Sequence, residues 1–244
     1  GQATDVSSTY DGSVVAVAVK TPSASNVLEF RSASSGAMIG QPTVLTSGNQ
    51  PLNDPRIEFT QTVDPSGGQS FDVVLAVSGG GSDSRVASVS LATRQVWWLT
   101  LSDPVNMVEV SPTGQFAVAA STAHDKLFKI MLVSAPQEPG RMTWSSADVT
   151  VNRNPASTAT SAVNGLQFNP IGTQLLCANT NGTVSVYEVR PNTTTNKIDI
   201  IATTSTWISP DVGELESVRF TPDCSVAYVC PLAILGTSRR LKRV

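Results

Sequence analysis

The chain contains one histidine, His124, next to Asp125. An imidazole beside a carboxylate is the start of acid–base chemistry, but a metal cluster or a nucleophilic triad needs further partners, and there is no second histidine. His124 therefore reads as an exposed loop residue. Three cysteines, Cys177, Cys224 and Cys230, include no Cys-x-x-Cys pair. Neither a zinc site nor a disulfide framework is signalled, and the expectation is reduced thiols packed in the core. Gly79-Gly80-Gly81-Ser82 has the glycine density of a phosphate cradle. It lacks the Gly-Lys-Ser/Thr ending and precedes no helical pattern, so it reads as a flexible hairpin between residues 73–77 and 86–91. Trp97 and Trp98 are adjacent, and neighbours on a strand face opposite sides, so one of the two should be the more exposed. Trp98 is taken as a candidate anchor for a protein partner. No residue set calls for a metal or a cofactor.

The elements that must carry these residues show in the spacing of prolines and glycines. In Val108-Glu109-Val110-Ser111-Pro112-Thr113-Gly114-Gln115-Phe116, alternating apolar residues lead into Pro-x-Gly and then into a second apolar run. The same order recurs in Leu166-Gln167-Phe168-Asn169-Pro170-Ile171-Gly172, and in Val218-Arg219-Phe220-Thr221-Pro222-Asp223-Cys224, where Cys224 replaces the glycine. Weaker copies are Thr9-Tyr10-Asp11-Gly12 and Val63-Asp64-Pro65-Ser66-Gly67. The equivalent turn positions are 12, 67, 114, 172 and 224. Physically, each copy is an antiparallel hairpin: proline presets φ and glycine accepts a positive φ. Asp11, Asp64 and Asp223 lie in these turns, where aspartate favours the reversal. A third strand follows, clearest after Asn181-Gly182, and a fourth is seen in Gln95-Val96-Trp97-Trp98-Leu99, Met142-Thr143-Trp144 and Ile198-Asp199-Ile200-Ile201. Four antiparallel strands in roughly 50 residues make one propeller blade. Residues 21–26, 46–56, 136–141, 152–160 and 191–196 read as exposed connectors. No capped helical period is found.

In residues 163–172 and 184–189 the order is strand, Asn-Pro-x-Gly turn, two strands, then the aromatic–acidic pair Tyr187-Glu188. Here the chain resembles the WD-repeat β-propeller family, and residues 105–118 and 215–228 match the first half of that pattern. The resemblance implies an all-β fold: a single propeller domain over residues 1–244, in units of about 1–50, 51–102, 103–155, 156–209 and a partial 210–244. With about five units visible, the expectation is a five-bladed ring, an incomplete propeller completed by another chain, or a fragment of a larger protein. The family's Gly-His and Trp-Asp residues are absent, so blade cohesion is expected to rest mainly on apolar strand packing. Asn106, Asn164 and Glu216 stand six residues before the prolines at 112, 170 and 222. In propellers that region approaches the channel mouth, so these three are candidate partner-binding residues or polar caps of a strand edge.

The 244 residues include 14% charged residues, well under the roughly 25% of typical domains, and 17 glycines with 15 prolines, a turn-rich globular composition. Sixteen basic and nineteen acidic residues give a net charge of −3, which disfavours nucleic acid. The exception is the tail, where Arg239, Arg240, Lys242 and Arg243 cluster as an anion, import or processing motif or as a solvated end. The sequons at Asn181 and Asn192 matter only in a secreted protein. The longest purely apolar run, residues 14–19, falls far short of the roughly 18–20 residues of a membrane helix, and residues 1–5 lack the features of a secretory signal. No membrane insertion is expected. The expected role is a non-catalytic scaffold that binds proteins or peptides as a subunit of a complex, in the cytoplasm or nucleus. A propeller enzyme of the metal-dependent hydrolase or lactonase type, with carboxylates around a channel metal, and a viral coat or surface β-sandwich are the alternatives. Acidic residues at matching blade positions, which the first alternative requires, are found only in the turns.

Overall fold

The computed structural model describes residues 1–22, 26–64, 68–79, 82–122, 126–133, 135–144, 163–194, 197–208, 214–231 and 242–243. Among them there is no helix. Successive stretches of chain each fold into one antiparallel sheet. The first sheet holds β1 (Gln2–Ser8), β2 (Val14–Lys20), β3 (Asn26–Ser32) and β4 (Thr43–Val44). A small hairpin, β5 (Thr46–Ser47) and β6 (Gln50–Pro51), links it to the second sheet. That sheet holds β7 (Pro55–Val63), β8 (Ser70–Ser78), β9 (Arg85–Ser90) and β10 (Val96–Thr100). The third is β11 (Val105–Val110), β12 (Phe116–Ser121), β13 (Leu127–Val133) and β14 (Arg141–Trp144). The fourth is β15 (Val163–Phe168), β16 (Gln174–Asn179), β17 (Thr183–Asn192) and β18 (Lys197–Ile208). The fifth has three strands, β19 (Leu215–Phe220), β20 (Ala227–Pro231) and β21 (Lys242–Arg243). In every sheet the strands neighbour one another in chain order, so each is a meander formed by local hairpins.

The repeated turn has one geometry. The first turn residue accepts a backbone hydrogen bond from the fourth: Gly12 donates to Thr9, Gly114 to Ser111, Gly172 to Asn169 and Cys224 to Thr221, at 2.8–2.9 Å. The fourth residue has a positive φ each time, 69° at Gly12, 67° at Gly114, 73° at Gly172 and 59° at Cys224. A tight turn ending in a left-handed residue matches the twist of the flanking strands. In these four turns the first residue has a side-chain oxygen, and that oxygen accepts an N–H at or just before the start of the next strand: Val14 to Thr9, Phe116 to Ser111, Gln174 to Asn169, Val226 to Thr221. In the second sheet the positive φ falls on Gly68, one place beyond the position assigned from sequence, because its loop is longer and closes by a bond from Gly68 N to Asp64 O.

The chain divides into two compact units, residues 1–119 with 130–144, and residues 120–129 with 145–244. In the first unit, β2 and β3 turn Ala16, Ala18, Leu28 and Phe30 onto Ile57, Phe59, Val74, Ala76, Ala87 and Val89 of the second sheet. The rings of Phe30 and Phe59 meet edge to face, 6.4 Å between centroids. In the second unit, Leu176, Ala178 and Val184 of the fourth sheet pack on Leu215, Val218, Ala227 and Val229 of the fifth.

The connector expected as exposed over residues 46–56 is partly structural. Leu45 and Leu52 at its margins are fully buried and join the core, each worth about 1.5–3 kcal/mol by transfer from water. Arg85 clamps the β5–β6 hairpin, donating to the carbonyls of Gln50 (2.9 Å), Pro51 (3.4 Å) and Ser47 (3.5 Å) while its other face is held by Asp83. Burial pushes the Asp83 carboxyl up, but the hydrogen bonds and charge of Arg85 outweigh this and hold it below its ordinary value. Elsewhere too the connectors are shorter than expected. Asn26 is buried in β3, Pro55 and Arg56 open β7, Arg141 opens β14, and Pro191 and Asn192 end β17, whereas residues 152–160 lie outside the described residues. Of the thiols only Cys177 is buried, whereas Cys224 and Cys230 are partly exposed, because one sits in a turn and the other near the end of a strand.

Cys224 has a side chain where its equivalents have glycine, and a left-handed L-residue costs about 1–2 kcal/mol. Cys224→Gly is expected to raise stability by about 1 kcal/mol in urea denaturation. Gly114→Ala should do the reverse, by about 2 kcal/mol or more, because it adds to the same φ penalty a Cβ that would overlap the carbonyl oxygen of Gln61.

Candidate functional site

The first strand of each of the five larger sheets is an edge strand, and its open side carries backbone donors and acceptors that need partners. In β1 the pairing with β2 shifts between Ala3 and Asp5, a bulge that leaves Thr4 out of the ladder and re-aims its side chain. Thr4 Oγ1 donates to the carbonyl of Pro55 at 2.9 Å. On the same strand Asp5 Oδ2 accepts from Ile57 N, and Ser7 Oγ from Phe59 N, each at 2.9 Å. Three polar side chains of β1 are thereby stitched to alternate positions of the β7 backbone.

The second unit repeats the device. A bulge between Val163 and Gly165 frees Asn164, whose Nδ2 donates to the carbonyl of Leu215 at 3.0 Å. Gln167 Oε1 accepts from Phe220 N at 2.6 Å. A further bulge between Leu215 and Ser217 places Glu216 at the same backbone position in β19, while its side chain lies outside the described residues. Asn106, at the corresponding count in β11, is half-buried, and its Oδ1 is buried without a hydrogen-bond partner among the described residues. In both units, apolar packing between sheets is accompanied by side chain to backbone hydrogen bonds. Each apolar face is fringed by a seam of side chain to backbone bonds. A hydrogen bond of this kind contributes about 0.5–1.5 kcal/mol, and a buried N–H left without one costs about 1–3 kcal/mol.

The candidates from sequence thus divide. Asn164 joins two sheets, and Glu216 shares its bulge position. Trp98 is half-buried against the core between the first two sheets, with the Arg85 guanidinium 5.5 Å from its ring centroid, so the structure gives it a packing contact. Trp97 is also half-buried, and its Nε1 has no partner among the described residues. Sequence reasoning missed Thr4, Asp5, Ser7 and Gln167. A signal existed for Thr4, which precedes Thr9 by the same count as Asn164 precedes Asn169, but the first repeat has Tyr10 in place of proline.

The turn aspartates are exposed and bound within their own turns. Asp11 accepts from Thr9 Oγ1, Ser13 N and Ser13 Oγ, and Asp223 accepts from Thr221 Oγ1, Ser225 N and Ser225 Oγ. The threonine hydroxyl first, then the serine N–H and hydroxyl, hold each carboxyl down at about 2. Among the described residues no group of three or more His, Cys, Asp or Glu side chains is placed to hold a metal. His124, Asp125, Gly80, Gly81, Arg239 and Arg240 lie outside the described residues, whereas Lys242 and Arg243 of the basic tail form β21 and pair with Val229 and Tyr228.

No protein-family model matches the chain, and no curated protein sequence is similar to it. Among solved structures it is similar to the β-propeller domain of Cps50 (Swd1) from Myceliophteria thermophila, with a TM-score of 0.57 and 14% identity, over 98% of this chain and 68% of that one. The chain has a β-propeller fold. Its four four-stranded antiparallel sheets and the three-stranded fifth are the blades expected from the resemblance to divergent WD-repeat propellers. A β-sandwich, which would distribute the strands between two facing sheets, is not what forms.

Two outcomes follow from the seam and the turns. Gln167→Leu removes the acceptor for Phe220 N and is expected to cost about 1–3 kcal/mol in urea unfolding and to speed hydrogen exchange at the Phe220 amide. The carboxyls of Asp11 and Asp223 have lowered values, so their contribution to stability is present above the ordinary carboxylate value of 3.8 and is lost as pH falls through about 2. NMR titration should place both midpoints near 2, and Thr9→Val should return that of Asp11 toward 3.8.

Proposed function

We propose that this propeller is a non-catalytic scaffold that binds proteins or peptides as a subunit of a multiprotein assembly, in the cytoplasm or nucleus. The observation that carries the reading is the division of labour among its side chains. The polar residues of the first strands, Thr4, Asp5, Ser7, Asn164 and Gln167, are engaged in holding one blade to the next. The turn tips, which have no such duty, carry apolar side chains into solvent: Tyr10 is fully exposed and Ile171 is 69% exposed. Rigid sheets with apolar groups on their turns suit recognition of another polypeptide, since exposed aromatic side chains are common anchors of interfaces. A fold alone does not specify a task, and the propeller neighbour supports the architecture on which this reading rests.

Affinity purification of the protein from its native cells, with mass spectrometry of what co-elutes, is expected to yield a companion in stoichiometric amount. Tyr10→Ser and Ile171→Ser, made separately, should leave the melting temperature unchanged, and at least one should reduce the companion several-fold. Reproducible absence of any stoichiometric companion would defeat the scaffold reading. A metal retained through purification, together with hydrolytic activity on lactones or esters, would favour the enzyme alternative.

A further inference from the structure

Three hairpin turns hold the residue at their third position in the same way. In Thr9-Tyr10-Asp11-Gly12, Asp11 Oδ1 accepts from the N–H and the hydroxyl of Ser13 at 2.9 and 2.8 Å. In Thr221-Pro222-Asp223-Cys224, Asp223 Oδ1 accepts likewise from Ser225, at 3.1 and 2.9 Å. The hairpin between β16 and β17 places an amide where those two have an acid. In Asn179-Thr180-Asn181-Gly182, Asn181 Oδ1 accepts from the N–H and the hydroxyl of Thr183 at 3.1 and 2.7 Å. The next residue again has a positive φ, 79° at Gly182. An aspartate in place of Asn181 would find its hydrogen-bond partners already set out.

Asn181 is placed to become that aspartate with no reagent but water. The main-chain nitrogen that follows an asparagine is able to attack the side-chain carbonyl carbon and close a five-membered ring. The attack needs a small following residue, a side-chain group able to leave, and support for the oxygen as negative charge gathers on it. Gly182 has no side chain to obstruct the approach of its nitrogen, whereas Cys224 has one. The carboxamide of Asn181 leaves as ammonia. Asp11 and Asp223, held down at about 2, are carboxylates at neutral pH and resist a nucleophile. Both donors of Thr183 support Asn181 Oδ1. Asn179 Nδ2 donates to Thr183 Oγ1 at 2.9 Å, which occupies a lone pair of that hydroxyl and leaves its proton for Asn181. Gly182 N donates to the carbonyl of Asn179 at 3.1 Å, longer than the 2.8–2.9 Å of the equivalent bond in the four repeated turns, so this nitrogen is held less firmly. Asn181 is exposed, and water reaches it. The second Asn-Gly pair of the chain, Asn164-Gly165, lies inside β15 with Asn164 Nδ2 tied to the carbonyl of Leu215, away from any turn.

We propose that Asn181 is a site of self-modification, at which the folded hairpin converts its own carboxamide into a carboxylate. The Gly182 nitrogen gives its proton to solvent and bonds to Asn181 Cγ, and the bond from Cγ to Nδ2 breaks to release ammonia. Water then opens the ring. Attack at Cγ restores the original main chain and leaves an aspartate; attack at the main-chain carbonyl leaves an isoaspartyl link. The turn retains the first product through the bonds that Asp11 and Asp223 make, and the tip of the hairpin gains one negative charge.

The test is incubation of the purified chain in mildly alkaline buffer, with mass spectrometry of its peptides and isoelectric focusing of the intact protein. A gain of one dalton is expected in the peptide holding Asn181, faster at higher pH, with an acidic shift on focusing and no gain at Asn164. Asn181→Asp should focus with the product and keep the wild-type melting curve. Thr183→Val should slow the conversion several-fold, and Thr183→Ser, which keeps both donors, should preserve the rate. A folded chain that gains no mass at Asn181 while the urea-unfolded chain is converted overturns the proposal. So does an equal gain at Asn164, a Thr183→Val rate at or above that of the wild type, or a lowered melting curve for Asn181→Asp. None of these outcomes bears on the scaffold reading, whose test is co-purification of a different protein.

Discussion

The first strand of a blade has a neighbour in its own sheet on one side only. Everything else in the arrangement depends on how the backbone groups on its other side are satisfied. Water would serve on a free surface, but here another sheet is packed nearby, and a donor or acceptor trapped without a partner would cost more than most single contacts return. The solution is to lend side chains from one strand to the backbone of the next. Thr4, Asp5 and Ser7 serve β7, and Asn164 and Gln167 serve β19. The bulges follow from this need: a regular strand directs its side chains to alternate faces, and the extra residue is what lets Thr4 and Asn164 reach the first carbonyl of the next strand.

Apolar packing and this polar seam act at different ranges. The aliphatic faces supply most of the free energy that holds sheets together, but burial is non-directional and tolerates sliding. A set of bonds to particular backbone atoms does not slide without breaking. Ala16 and Ala18 leave room for Phe30 and Phe59 to meet edge to face, and the seam on β1 fixes the register at which they do so. The clamp of Arg85 on the β5–β6 hairpin does similar work on the chain between the sheets, where Leu45 and Leu52 anchor an otherwise polar segment.

Much of the architecture was legible because the turn makes demands that few residues meet. A positive φ at a fixed place selects glycine, and the residue that opens the turn must supply a side-chain oxygen, so Ser111-Pro112-Thr113-Gly114 and Asn169-Pro170-Ile171-Gly172 stand out in any reading. The fifth repeat could be read through Cys224 because Thr221-Pro222-Asp223 kept the rest. The exact glycine of the second turn was missed, since a longer loop between Asp64 and Gly68 moves the left-handed residue by one place. Asn164 was picked out by its periodic position, but its contact was hidden, because the partner is the carbonyl of Leu215, which is remote in the chain and carries no signature in its side chain. The contacts of Thr4, Asp5 and Ser7 were hidden for the same reason. The burial of Leu45 and Leu52 was obscured by the serines, threonines and glycine around them.

A joint that grips only the main chain of its neighbour places no restriction on which amino acids that neighbour contains. Leu215 is held through its carbonyl and Phe220 through its N–H, so the seam itself asks nothing of the side chains of β19, and only the core entered by Leu215 and Val218 keeps those two apolar. Over evolutionary time, successive units joined in this way can diverge until their shared ancestry leaves little trace in the letters of the sequence, while the order in which they stack is preserved.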